Sequence, residues 1–252
     1  MNLPRSLLRS LIALACVLFL SPLHAALAWT VVVGGGTMVA GSGAMVEDVR
    51  AVSGYTRVFV SAPVEVQLKR TGTEQAVVHA DDNIAALIET RVEGGRLYIE
   101  AAKDVSFRTR NKVFVVVDFK QLDALQVDGS GDVVADDIKA GIFEGVIHGS
   151  GNVKITRLEA DTVAVSVAGS GDFNVRGRAG KVGFVIEGSG DVLAEDLQAK
   201  SVAVRIAGSG DARVNAIESL QARIAGSGDV LYRGSPQVEK KIAGSGEVRP
   251  LR

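Results

Sequence analysis

Cysteine is nearly absent: Cys16 is the one thiol in 252 residues, and it falls inside an apolar N-terminal run. Disulfide scaffolding and thiolate metal centres are thereby excluded for the rest of the chain. Aromatic residues are also scarce, at 5%. A core built without rings must rely on small and β-branched side chains. An excess of one charge is missing too, since Lys+Arg 28 stands against Asp+Glu 29. That balance argues against a nucleic-acid partner. Histidines number three, and neither His79 nor His148 has a neighbour in sequence that suggests a metal or a general base. Beyond the N-terminus no apolar stretch is long enough for a membrane-spanning helix.

The N-terminus reads as an export signal. Arg5 and Arg9 precede an unbroken apolar run from Leu11 to Leu20, then Pro22 and the small residues Ala25, Ala26 and Ala28. This is the charged, apolar, small-residue order of a secretory signal, with cleavage expected after Ala25 or Ala28. Cys16 lies within the apolar run rather than after it, so lipidation is not expected. Loss of residues 1–25 moves the net charge to −3 and removes the one cysteine. Residues 26–47, with Gly34-Gly35-Gly36 and Gly41-Ser42-Gly43, read as a linker. A single domain is expected over 48–252, irregular over 48–121 and regular over 122–249.

What the chain has in quantity is glycine, 29 residues, and much of it recurs at a fixed period. Gly-Ser-Gly followed by Asp, Asn or Glu begins at Gly129, Gly149, Gly169, Gly188, Gly208, Gly226 and Gly244, at spacings of 18 to 20 residues. Two residues before each motif stands Val127, Ile147, Val167, Ile186, Ile206, Ile224 or Ile242, β-branched every time. Four and six residues after its first Gly come further apolar positions, with mixed polar residues between. Period-2 alternation on both sides of a glycine turn marks strands with one buried face. Equivalent residues at equivalent positions favour a parallel β-solenoid over a meander of hairpins, because stacking turns each position into a ladder. The turn is assigned to Gly129, Gly131, Gly149, Gly151, Gly169, Gly171, Gly188, Gly190, Gly208, Gly210, Gly226, Gly228, Gly244 and Gly246.

The region before Gly129 predicts less regular strands, at Arg57–Val60, Val64–Leu68, Ala76–Ala80 and Val113–Val117. Asp81-Asp82-Asn83 is expected to cap one short helix running through about Glu89. Gly94-Gly95 predicts a hairpin turn. Pro250 in the last repeat would block a further strand, and the N-terminal region would cover the opposite end.

The acidic column Asp132, Asn152, Asp172, Asp191, Asp211, Asp229 and Glu247 is the first candidate for chemistry. One reading is a cation ladder centred on Asp172, Asp191, Asp211 and Asp229. The preferred reading is structural, each carboxylate accepting hydrogen bonds from its own turn or from Ser. Carboxylates about 4.8 Å apart repel by roughly 1 kcal/mol in water, so internal donors are needed. The Ser column has no His and Asp to activate it, and strands rather than helices follow the glycines, which removes the phosphate-cradle reading. No cofactor is expected. Phe173 and Tyr232 fall in inward columns, leaving the repeats without an aromatic platform.

Val52-Ser53-Gly54-Tyr55, Asp81-Asp82-Asn83, Val92-Glu93-Gly94-Gly95-Arg96-Leu97 and the Gly-Ser-Gly-Asp series, in that order, resemble the putative auto-transporter adhesin, head GIN domain family of bacteria. The resemblance covers residues 48 to 248. It implies a right-handed β-helix of two sheets, shaped like the pectin lyases but without their catalytic residues, and it implies adhesion. No C-terminal translocator barrel is seen before Arg252, so self-export is not expected. The leading expectation is a non-enzymatic binding module, periplasmic, extracellular or envelope-associated. Its partner would be a protein or glycan surface, with self-association left open. One alternative is a periplasmic structural or envelope-stress protein without a small ligand. The other is a β-helix enzyme acting on polysaccharide through Asp104, Arg108 and Arg110.

Overall fold

A computed structural model describes residues 31–33 and 36–251. The expected export signal, with Cys16 inside it, lies outside the described residues. The chain forms a β-solenoid of stacked parallel coils with one short helix. Strands Val153–Gly169, Phe173–Gly188, Val192–Gly208 and Ala212–Gly226 each supply nearly a whole coil. They pair in parallel with the next coil, Gly169 opposite Gly188 and Gly188 opposite Gly208. Within each coil the buried alternation slips phase, as between Ile155 and Leu158, where the strand bends and the ladder register shifts. The return side is therefore a bend in a continuous strand.

Two packed faces result. One runs through Arg96–Ala101, Arg57–Val60 and Ala124–Gly129 into the repeats and ends at Gln237–Gly244. The other runs through Phe114–Phe119, Glu65–Arg70 and Asp132–Ala135 and ends at Val248–Pro250. Between them lie the inward columns, including Val127, Ile147, Val167, Ile186 and Ile206, each no more than 1% exposed. Each such aliphatic side chain contributes about 1.5–3 kcal/mol when removed from water.

Pairing reveals one further coil ahead of the seven glycine motifs. Val60 sits opposite Val127 and Glu65 opposite Asp132, so Ala62-Pro63-Val64-Glu65 occupies the place of Gly-Ser-Gly-Asp. Below that corner no other corner of the same kind is stacked, and side chains are tolerated. A Cβ on Gly131 would lie 2.5 Å from the Ala62 carbonyl oxygen, and on Gly210 it would lie 2.1 Å from that of Gly190. Glycine is thus demanded by the approach of successive coils as well as by the turn. The first glycine of each motif also has positive φ, 97° at Gly129 and 141° at Gly208.

The ends differ from the expected picture in instructive ways. Residues 45–47, expected in a linker, belong to strand Met45–Arg50, which pairs antiparallel with Gln75–Asp81. Gly36–Ala40 is likewise a strand, paired with Val105–Arg108. The helix is only Asp82–Ala85, cut short because Ile88 already begins the hairpin strand Ile88–Glu93. The hairpin turns on Gly94 and Gly95, both with positive φ. Antiparallel strands thus close the N-terminal end of the parallel stack.

At the other end, register places Lys240 opposite Ala222, in a column otherwise filled by Val165, Phe184 and Val204. An inward lysine on the last described coil discourages another strand from adding there. Pro250 opposite Tyr232 removes a donor from the second face of the same coil.

Candidate binding surface

The glycine corner is built by hydrogen bonds between coils. The Gly129 carbonyl accepts from Ser150 and Gly151 N–H at 2.8 and 2.9 Å, and the Gly149, Gly169 and Gly188 carbonyls repeat the arrangement. The acidic column does not serve its own turn, as expected, but the next coil. Asp191 N–H donates to Asp172 Oδ1 at 3.0 Å, Asp211 N–H to Asp191 at 2.8 Å, and Asp229 N–H to Asp211 at 2.7 Å. One oxygen of each carboxylate is thereby committed to backbone. Among the described residues no group of three or more His, Cys, Asp or Glu is arranged to hold a metal. Ser150, Ser170, Ser189, Ser209 and Ser227 are exposed, so the hydroxyls line the corner's outer rim and not its hydrogen-bond network.

A second constellation joins segments that are distant in sequence. Asp81 is fully buried, and its carboxylate accepts from Thr109 Oγ1 at 2.7 Å, Asn111 Nδ2 at 2.5 Å and Gly43 N–H at 3.2 Å. The Asn111 and Thr109 side chains hold that carboxyl below the ordinary carboxylate range. Asp81 precedes the helix without capping it, because its oxygens are spent on this clasp. Asn83 completes it, accepting from Ser42 N–H at 3.0 Å and donating to the Ala40 carbonyl at 2.8 Å. Gly41-Ser42-Gly43 is thus a docked loop. Arg108 and Arg110 line a hollow of about 600 Å³ beside it, together with Ser42, Thr109 and Asn111. Asp104 is not among the residues lining that hollow.

The most extended feature is an outward column along the face that ends in Gln237–Gly244. Register stacks Tyr98, Phe59, Gln126, Val146, Ser166, Val185, Arg205, Arg223 and Lys241 in one file. Eight coil spacings make the file about 38 Å long. Phe59 and Tyr98 are half-buried with ring centroids 5.4 Å apart, and the Arg91 guanidinium lies 4.3 Å from the Tyr98 ring centre. The middle of the file crosses a shallow hollow of about 270 Å³ floored by small residues such as Gly145, Ala164 and Gly183. Its far end is cationic. Elsewhere on the solenoid Lys139 is paired with Glu159, and both Arg176 and Arg233 with Asp196. Among the described residues Arg205, Arg223 and Lys241 take part in no ion pair, and all three are exposed.

Reading single residues could not reveal this file. Phe59 and Tyr98 are 39 positions apart, and only pairing shows that they continue the repeat columns. The aromatic platform missing from the repeats is therefore present in the coils before them. His79 lies elsewhere, stacked on Phe114 with centroids 4.3 Å apart, and His148 contacts Asp128 at 3.1 Å.

Such a fold, with a long outward file and a corner spent on architecture, defines a parallel β-solenoid. The model of the family described as "Putative auto-transporter adhesin, head GIN domain" matches residues 54–236, and the chain belongs to that family. Among solved structures it is similar to a "putative adhesin" of Bacteroides fragilis, at 25% identity and a TM-score of 0.80, covering 84% of this chain and 100% of that one. It is also similar to a "Putative lipid binding protein" of Parabacteroides distasonis, at 26% identity and a TM-score of 0.72, covering 85% and 100%. A "putative adhesin" of Parabacteroides distasonis shares the fold at 23% identity and a TM-score of 0.68, covering 85% and 100%. No curated protein matches the chain.

Proposed function

We propose that the chain is an exported, non-enzymatic binding module of adhesion type at the bacterial cell envelope, with residues 1–25 acting as its export signal. The observation that carries this reading is the uninterrupted outward file from Tyr98 to Lys241, which offers an extended surface instead of an enclosed reaction site. The relatives at 25% and 26% identity support it, being described as a putative adhesin and a putative lipid binding protein. No helix among the described residues is long and apolar enough to cross a membrane. The lipid-binding description of one relative places lipid surfaces among the partners to be tried. The test exposes the purified chain to immobilised glycans, matrix proteins and lipid vesicles, beside fractionation of the native cell. Saturable binding to one class, with the chain recovered outside the cytoplasm, is expected. Absence of binding to every class, or a cytoplasmic chain, overturns the reading.

A further inference from the structure

We propose that the file from Tyr98 to Lys241 is a docking track for a linear acidic polysaccharide, its sugar rings against Phe59 and Tyr98 and its anionic groups on Arg205, Arg223 and Lys241. The inference rests on the binding role above and names the ligand and its pose.

The cations stand one per coil, about 4.8 Å apart. A linear polyuronate presents one carboxylate per sugar ring, so its charges recur on the same scale. Unpaired like charges held in file repel one another, and an anionic strand laid along them turns that repulsion into attraction. Ala203, Ala207 and Ala225 flank the cations on the same face and are exposed, so no bulky side chain obstructs the lane. At the other end the half-buried ring of Phe59, beside a Tyr98 whose ring carries the Arg91 guanidinium, gives the apolar face of a sugar a place to rest.

The surrounding carboxylates distinguish a polymer from a bilayer. Glu144, Glu187 and Glu239 project from neighbouring columns of this face and are exposed. A bilayer would press all of them against its phosphates, whereas a single strand is centred on the column free of acids and meets Glu144 only at the edge of the hollow it crosses. The geometry thus favours the polymer.

The experiment measures binding of polygalacturonate and of neutral dextran to the purified chain by calorimetry. The variants are Arg205→Ala/Arg223→Ala/Lys241→Ala together, Phe59→Ala, and the control pair Lys139→Ala/Arg178→Ala on the return side. Wild-type chain binds polygalacturonate but not dextran, and added salt weakens the binding by screening. The triple variant loses roughly tenfold or more in affinity. The control pair retains it, and circular dichroism shows all variants folded. If Phe59→Ala unfolds, the triple variant alone decides. Equal binding by triple variant and wild type overturns the proposal, as does preference for vesicles of anionic phospholipid over polygalacturonate. In both cases the binding module itself survives; lack of any ligand in the broader panel removes both.

Discussion

Substituting Gly210 with alanine isolates the contact on which coil stacking depends. Gly210 does not have positive φ, so the substitution carries no left-handed backbone penalty. Its Cβ would stand 2.1 Å from the Gly190 carbonyl oxygen and 3.0 Å from the Ile186 Cγ2. Because the nearest atom is backbone, relief requires the two coils to part at the corner. That movement stretches the bonds from Ser209 and Gly210 N–H to the Gly188 carbonyl, at 2.8 and 3.2 Å, and from Asp211 N–H to Asp191 at 2.8 Å. Overpacking of this kind costs about 1–3 kcal/mol, and each weakened hydrogen bond adds up to about 1 kcal/mol. The expected loss is about 3–5 kcal/mol, a large part of a typical domain's 5–15 kcal/mol. Gly72→Ala is the contrast, with φ of 83° and no atom within 4 Å of the added Cβ, so only strain of about 1–2 kcal/mol applies. Urea unfolding followed by circular dichroism measures both. A Gly210→Ala loss no larger than that of Gly72→Ala refutes the claim that coil approach, rather than turn conformation, demands the second glycine.

Three other outcomes follow from the same geometry. Lys240→Val replaces the inward lysine of the last described coil, and concentration-dependent end-to-end association is expected in sedimentation velocity; an unchanged monomer contradicts the edge-blocking role. Asp211→Ala removes the acceptor of Asp229 N–H and is expected to cost about 1–2 kcal/mol, while Asp211→Asn keeps an acceptor and costs less. Burial pushes the Asp137 carboxyl up, but hydrogen bonds from Arg157 and Arg70 outweigh it and hold the group below its ordinary value. A lowered folded value means stabilisation that is complete above the unfolded carboxylate range near about pH 4 and lost as pH falls through the folded value. Asp137→Asn should therefore flatten the acid-side decline in urea stability, and an unaltered slope would contradict the pairing.

The repeat columns could be read from sequence because a ladder writes the same residue type at every coil. Ile147, Val167 and Ile186 announce their stacking by recurrence alone. The coil at Ala62-Pro63-Val64-Glu65 was illegible for the converse reason: without a like corner beneath it, it has no need of glycine. The clasp on Asp81 was equally hidden, since Gly43, Thr109 and Asn111 share no period. Proximity to the helix start made Asp81 look like a cap, and only tertiary donors reassign it. The acidic column was expected to accept from its own turn, whereas its donors come from the following coil, a relation that depends on register. The outward file escaped notice because its members differ in chemistry from coil to coil, from Tyr98 through Val146 to Arg223.

The most direct test of the binding surface is a crystal structure of the chain with an oligogalacturonate long enough to span the file, about eight coil spacings. The account predicts a strand lying along the solenoid axis, rings beside Phe59 and Tyr98 and carboxylates within hydrogen-bond reach of Arg205, Arg223 and Lys241. A ligand bound instead at the serine rim of the glycine corner, or in the hollow beside Arg108 and Arg110, would contradict it.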